Sequence, residues 1–260
     1  MVSSLVIGSE TAMLIDMPLT ISSAKTVFSS HNHPDHYLSA RTILNAFPNA
    51  RSYANPQAAS GIAIGAPGTS AYWSSLLGVS DVVQNTSVPK PFPFSFFALP
   101  GDSEYPIHLI QPLTVDTVGE MLFWIPSLRT LIAGDTVYGA ELHLFLADVL
   151  TPALTASWIL TLDFPLDLNP AIVVPRHSLA SDSYNGAKYI LSTREYLRFW
   201  QRELEGKGQN FYTPQALHDS TSALLLNITA ENFGRGGIRF GHLQDFTLND
   251  NEEELNGWEL

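Results

Sequence analysis

Short apolar runs bounded by turn residues recur along the chain. Ser4 to Ile7 and Ala12 to Ile15 flank Gly8-Ser9-Glu10, a pattern that predicts a hairpin. Thr26-Val27-Phe28 predicts a short buried strand that runs straight into a histidine-rich stretch. His108 to Val115 predicts another strand. Glu120 to Ile125 and Thr130 to Ala133 flank Pro126-Ser127-Leu128-Arg129 and predict a second hairpin. Ala171 to Val174 predicts a last core strand, ended by Pro175. Helices are expected over Leu38 to Phe47, which stops before Pro48, over Thr155 to Leu162, and over Gly186 to Glu205. Strands with helices between and after them point to an α/β or α+β sandwich with helices on the outer faces.

Two stretches read as irregular. Pro89 to Pro100 (PKPFPFSFFALP) is too rich in proline for a central strand. It reads as an aromatic loop whose rings pack on the core. The aromatic loops around Tyr72-Trp73 and Phe92 to Phe97 also suggest an apolar or ring-bearing substrate. Gly61-Ile62-Ala63-Ile64-Gly65 lacks the Gly-Lys-Ser/Thr ending of a phosphate loop and reads as a turn or loop. No Gly-x-Ser-x-Gly elbow occurs.

Composition narrows the chemistry. The 260 residues, 45% of them hydrophobic, suit one domain spanning 1–260. Residues 206–260, which include His218 and His242, form a C-terminal extension without an interpretable motif. The net charge of −12 and the lack of a basic run argue against a nucleic-acid partner. Part of the acidity lies in Asn249 to Leu260, read as a solvated tail. No apolar stretch is long enough to span a bilayer, and Met1 to Leu5 carry no basic leader pattern. A cytoplasmic location and no membrane partner are expected. The chain has no cysteine, so a metal would need histidine and carboxylate ligands, which suit zinc, iron or manganese.

The histidine-rich stretch reads His31-Asn32-His33-Pro34-Asp35-His36. In extended chain His31 and His33 point to the same side and can reach one ion. Pro34 then forces a turn, and Asp35 and His36 project from another backbone direction. That geometry suits two adjacent ions better than one.

The spacing His-x-His-x-Asp-His resembles the metallo-β-lactamase-fold hydrolases. Further pieces follow in that family's order, over roughly Ser4 to Arg202. Asp16 follows the first hairpin, Ala133-Gly134-Asp135-Thr136 closes the second, and Val173-Val174-Pro175-Arg176-His177 ends a strand. The resemblance implies an αββα sandwich of two mixed sheets with the metals at one edge. It implies that Asp135 bridges two ions, that Asp35, His36 and His177 hold the second, and that His31 and His33 hold the first. The family usually completes the first site with a histidine in a Gly-His-Thr-x-Gly-like stretch. Here that stretch reads Val115-Asp116-Thr117-Val118-Gly119, and Asp116 is taken as a substituted ligand. A second departure is the connection Met17 to Lys25, too short for the helix that family members carry there.

The resemblance implies a dinuclear, metal-dependent hydrolase with two zinc ions, or alternatively manganese or iron. Metal-bound hydroxide would cleave an ester, thioester, lactone or lactam of a small molecule. Asp35 is also a candidate proton acceptor, and His143, soon after Asp135, a candidate substrate contact. A third carboxylate, Asp116, would leave bound water less acidic and tilt the centre toward manganese or iron. The alternatives are a non-hydrolytic iron enzyme or lyase on the same fold and a binding protein whose centre has decayed. Oligomeric state is left open.

Overall fold

The computed structural model describes residues 1–16, 24–80, 82–146, 148–149, 151–179, 183–208 and 211–233. Ten strands form two mixed sheets. The first has the order β1 (Ser4–Ile7), β2 (Ala12–Ile15), β3 (Ala24–Phe28), β4 (Arg51–Ala54) and β5 (Lys90–Pro91). Its β1–β2 pair is antiparallel and the rest are parallel. The second runs β10 (Ile172–Pro175), β9 (Thr130–Gly134), β8 (Val118–Ile125), β7 (Ile107–Thr114) and β6 (Phe96–Phe97). There only β10–β9 is parallel.

Strand β2 is apolar throughout and Leu131 to Gly134 of β9 are all buried, because both faces of the sheets are covered there. In β2, Met13 and Ile15 point into the space between the sheets, where they join Phe28, Leu109, Met121, Phe123, Ile125 and Ile132. Leu14 points the other way and packs with Val27 on Ala40 and Ile43 of α2 (Ala40–Ala46). The outer face of the second sheet presents Leu122, Leu131, Ala133 and Val173 to Trp158 of α4 (Pro152–Thr161) and to Tyr189, Ile190 and Leu197 of α6 (Lys188–Trp200). The result is the expected αββα sandwich. A four-residue helical turn, α1 (Pro34–Tyr37), and a short α5 (Asp163–Asp167) complete this part. The last described helix, α7 (Pro214–Phe233), packs on α6 and adds Leu225 to the outer core. No described helix is long and apolar enough to cross a membrane.

The structure corrects two of the loop readings. Gly61 to Gly65 and Tyr72-Trp73 lie inside one helix, α3 (Pro56–Leu77). Glycine and proline lower helix propensity, but capping and packing override it here. The Asn55 side chain accepts a hydrogen bond from the Ala58 N–H at 2.8 Å, Pro56 opens the first turn, and Ala58, Ala59, Ile62 and Ala66 are buried. Gly61 also has a local reason. A β-carbon there would stand 3.2 Å from Asn32 Nδ2, so glycine lets α3 approach the histidine stretch.

The proline-rich stretch contributes only β5 and β6, each at a sheet edge, which is where proline is tolerated. Its Phe92 and Phe97 sit 5.4 and 5.3 Å from Phe28 by ring centroids, inside the core between the sheets. Those two rings serve packing. The connection read as too short for a helix falls on residues 17–23, outside the described residues, except that Ala24 and Lys25 open β3. His242 and the acidic stretch 249–260 also lie outside them.

Candidate metal centre

One edge of the sandwich gathers the ionisable residues. Asp16 ends β2 and adopts a left-handed backbone, φ 50°. Its Oδ1 accepts the Ser30 N–H at 2.8 Å, which pins the start of the histidine stretch after β3. His33 is extended, with φ −76° and ψ 146°, and Pro34 starts α1, so Asp35 and His36 leave from a helical turn. Asp116 sits in the tight link between β7 and β8. Asp135 follows β9, and His177 follows β10.

The side chains form two groups. In the first, single ligand atoms of His31, His33, Asp116 and Asp135 all lie within 4.8 Å of one another. In the second, the same holds for Asp35, His36 and His177. Asp135 faces both, since its Oδ1 is 3.4 Å from His36 Nε2 and its Oδ2 is 3.3 Å from His177 Nε2. Asp35 Oδ2 lies 3.3 Å from each of those two nitrogens. Asp116 Oδ2 stands 3.2 Å from His33 Nδ1 and 3.8 Å from His31 Nε2. All seven expected ligands are therefore brought together.

Several inward-facing atoms lack a satisfied hydrogen bond and meet only one another, as ion pairs. His31 Nε2, His36 Nε2, Asp35 Oδ2, Asp135 Oδ1 and both Asp116 oxygens are buried without such a bond. Buried polar atoms left without hydrogen bonds are costly, and a cation among them satisfies them together. The donor set fits divalent metal ions.

A second ring of carboxylates backs the imidazoles. Glu120 Oε2 is 2.7 Å from His31 Nδ1, Asp148 Oδ2 is 3.0 Å from His33 Nε2, and Asp16 Oδ2 is 3.2 Å from His36 Nδ1. Each contact uses the nitrogen that points away from the centre, which fixes ring orientation and tautomer. Ser30 Oγ lies between the halves, 3.0 Å from His31 Nδ1 and 3.1 Å from His36 Nδ1. Tyr138 donates to Asp135 Oδ2 at 2.9 Å, and its ring stacks on His177 at 5.3 Å. The sequence reading named Asp16 only as a family feature and missed Glu120, Asp148, Tyr138 and Ser30. One signal was present for Glu120, an acid at the head of the apolar run Met121 to Ile125.

These contacts set the proton balance. For His33, burial opposes the charged form, but Asp116 and then Asp148 outweigh it and raise the pKa to about 9. For His177, burial again opposes, and Asp135 and Asp35 raise it to about 9. His31 goes the other way. Burial and the charge on His36 lower it to about 4 despite Asp116, so it is neutral and ready to donate a lone pair. Burial works against ionised Asp35 and Asp135, yet His36 and His177 hold both well below the usual carboxylate range. Glu120 is raised well above its usual value by burial and by Asp135.

His143 stands apart from both groups. Its Nδ1 is 3.0 Å from the Tyr196 hydroxyl, and its ring lies 6.0 Å from that of His218 on α7. The loop that carries it does reach the centre through two neighbours, Asp148 and Phe145, the latter edge-on to His33 at 5.2 Å.

Arg176 directly precedes His177. It is 2% exposed. Its guanidinium donates to the backbone oxygen of Asp35 and, at 2.6 Å, to that of Val2. It thus ties the α1 turn to the chain's first residues.

The comparisons agree with this geometry. The model of the metallo-beta-lactamase superfamily matches residues 8–177. A metallo-beta-lactamase from Pontibacter korlensis superposes with a TM-score of 0.54 at 16% identity, over 75% of this chain and 86% of the other. A beta-lactamase domain protein from Burkholderia ambifaria gives 0.60 at 15% identity, over 88% and 81%. The DIM-1 metallo-beta-lactamase gives 0.55 at 13% identity, over 75% and 86%. No curated protein matches the chain. With two mixed sheets facing each other, the His-x-His-x-Asp-His turn after β3, and a family match running from Gly8 to His177, the chain belongs to the metallo-β-lactamase superfamily.

Proposed function

We propose that the chain is a hydrolase that uses two divalent cations to cleave an ester, thioester, lactone or lactam bond in a small molecule. The observation that carries this reading is the pair of converging ligand groups with Asp135 between them, several of their inward atoms buried without a satisfied hydrogen bond. Cations held there would acidify a water molecule and polarise a carbonyl oxygen.

The chain's own residues define the approach. His31 and Asp116 are fully buried, whereas the side chains of Asp35 and His177 are 30% and 29% exposed. The reacting bond therefore enters over the second half of the centre. Asp35 is ionised at neutral pH and stands at that opening, where it accepts the proton of the attacking water. Tyr138 keeps its proton, because burial and Asp135 raise its pKa well above the usual value. It remains a donor to Asp135 and fixes that carboxylate between the two halves. Phe145, 48% exposed, offers an apolar wall beside His33.

The test combines metal content and turnover. Protein purified without chelators is analysed for metal and assayed on an ester, lactone and lactam panel. About two ions per chain and a chelator-reversible activity are expected. His33→Ala should lose one ion and the activity. Full activity in that variant, or in metal-free protein, would overturn the reading.

A further inference from the structure

Helix α3 carries no charge. From Ser52 to Ser80 the chain has no Asp, Glu, Lys or Arg, although 15% of all its residues are charged and its net charge is −12. The 22-residue helix lies wholly inside that stretch. One side of it faces the fold, where Ala59, Ile62, Ala66 and Ser70 are buried. On the opposite side Ile64 and Tyr72 are 82% and 61% exposed, and Leu76, Leu77 and Val79 are exposed at or just past its end. A surface helix normally carries charged side chains, as α6 does in Lys188, Arg194, Glu195 and Arg198. A long exposed apolar face without them marks an interaction surface.

Gly68 is a second sign. It lies one turn from Ile64 and one turn from Tyr72, and the three form one ridge of exposed positions. A β-carbon there would meet no atom within 4 Å. Glycine weakens a helix interior relative to alanine, and no described residue requires it at this position. Gly61, by contrast, makes room for Asn32. At Gly68 the room faces outward. The ridge is a notch flanked by two large apolar side chains.

Charge and shape identify the occupant. A basic or acidic partner finds no charge on this face to pair with. An anionic lipid surface is repelled by a chain of net charge −12. Two copies of the chain repel each other as well, except where neither presents charge. The notch is also complementary to itself. Turned about a two-fold axis through Gly68, a second α3 runs antiparallel to the first, and the Ile64 of each copy meets the Tyr72 of the other. Half the surface of a cylinder about 33 Å long and about 11 Å across is roughly 570 Å², so two copies bury roughly 1,100 Å². That suffices for a specific contact and falls short of an obligate one.

We propose that α3 is the interface of a reversible homodimer, packed antiparallel about Gly68. The proposal is independent of the hydrolase reading, and its test reads association and not turnover.

Full-length protein is followed by sedimentation equilibrium from about 1 to about 300 µM, where a monomer–dimer step is expected. Protein that stays monomeric throughout would overturn the proposal. Between about 50 and about 500 mM salt the dimer should tighten about threefold or more, because screening weakens the repulsion between two acidic chains. Weakening would mean paired charges, and so another surface. Two substitutions at exposed positions locate the contact. Tyr72→Glu should weaken dimerisation about tenfold or more. Gly68→Leu fills the notch from open space and should do the same without lowering the unfolding midpoint of the monomer. A dimer indifferent to both would overturn the assignment to α3. The chain has no cysteine, so a single introduced thiol reports its own position. Gly68→Cys, on the axis, should cross-link two copies under mild oxidation, and Leu160→Cys, exposed on α4, should not. The reverse pattern would place the interface elsewhere. Monomeric protein that pellets with neutral phosphatidylcholine vesicles, and is released by Tyr72→Glu, would assign this face to a membrane and overturn the dimer.

Discussion

Raising the pH should destabilise the metal-free protein, and two histidines set a lower bound on the effect, because His36, also raised well above its ordinary value, adds with the same sign. His33 and His177 have native pKa values of about 9, against an ordinary value of 6.5. Between those values the native state holds protons that the unfolded state has released. Stability must then fall as pH rises. Their contribution is fully present below 6.5 and is lost as pH passes through about 9. Each histidine contributes a slope of about 1.4 kcal/mol per pH unit and a total on the order of 3 kcal/mol. The two draw mainly on different carboxylates, Asp116 and Asp148 for His33, Asp135 and Asp35 for His177. Their contributions should therefore add in large part. Glu120, whose pKa is also raised, acts with the same sign.

The assay is urea unfolding in excess chelator from about pH 6 to about pH 9.5, repeated with bound divalent cation. The chelated protein should lose several kcal/mol across this range, on the order of half a small domain's stability. The loaded protein should show the reverse trend, because cations displace the same protons and bind more tightly as pH rises. Chelated stability that is flat or rising between 6.5 and 9 would refute the reasoning. It would mean that these carboxylates do not grip the imidazoles as the distances imply.

Three substitutions probe other contacts. Gly134 has φ +51°, and a β-carbon there would press on Glu120 Oε1, so Gly134→Ala should cost about 1–3 kcal/mol by urea unfolding. Arg176→Met keeps bulk but removes the donors to Asp35 and Val2. It should cost about 2–4 kcal/mol and weaken one of the two bound ions at least about tenfold, as read by chelator competition. Tyr138→Phe keeps the stack on His177 and deletes only the hydrogen bond to Asp135. It should cost about 1 kcal/mol in stability and lower the affinity for both ions, as read by the same competition.

Much of the sandwich was legible in the chain, for a physical reason. Strands covered on both faces are short, largely apolar runs, and β2, β8, β9 and β10 stand out as such. Helix α3 was not legible. Its glycines and Pro67 argue against a helix locally, and what overrides them is tertiary: an Asn55 cap, buried alanines, and a helix surface that must come close to Asn32. Local propensity carries no record of a neighbour that arrives from another part of the chain.

The same distinction divides the site. Four of its ligands fall between His31 and His36, and their spacing is dictated by the need to converge, so the sequence displays it. Asp116, Asp135 and His177 are found at strand ends, because that is where two facing sheets deliver side chains to a common edge. The outer carboxylates obey no such rule. Asp148 meets His33 across 115 positions, and Glu120 reaches His31 from a different strand. An acid that backs an imidazole has only to reach its outer nitrogen, from any element that passes behind it. Among 25 acidic residues, spacing does not single it out. Yet these residues set the proton balance of the centre, since it is Asp148 together with Asp116 that lifts His33 to about 9. Two chains with identical ligands can therefore differ in how tightly, and at what pH, they hold their ions, and the difference lies in residues that no metal-binding motif contains.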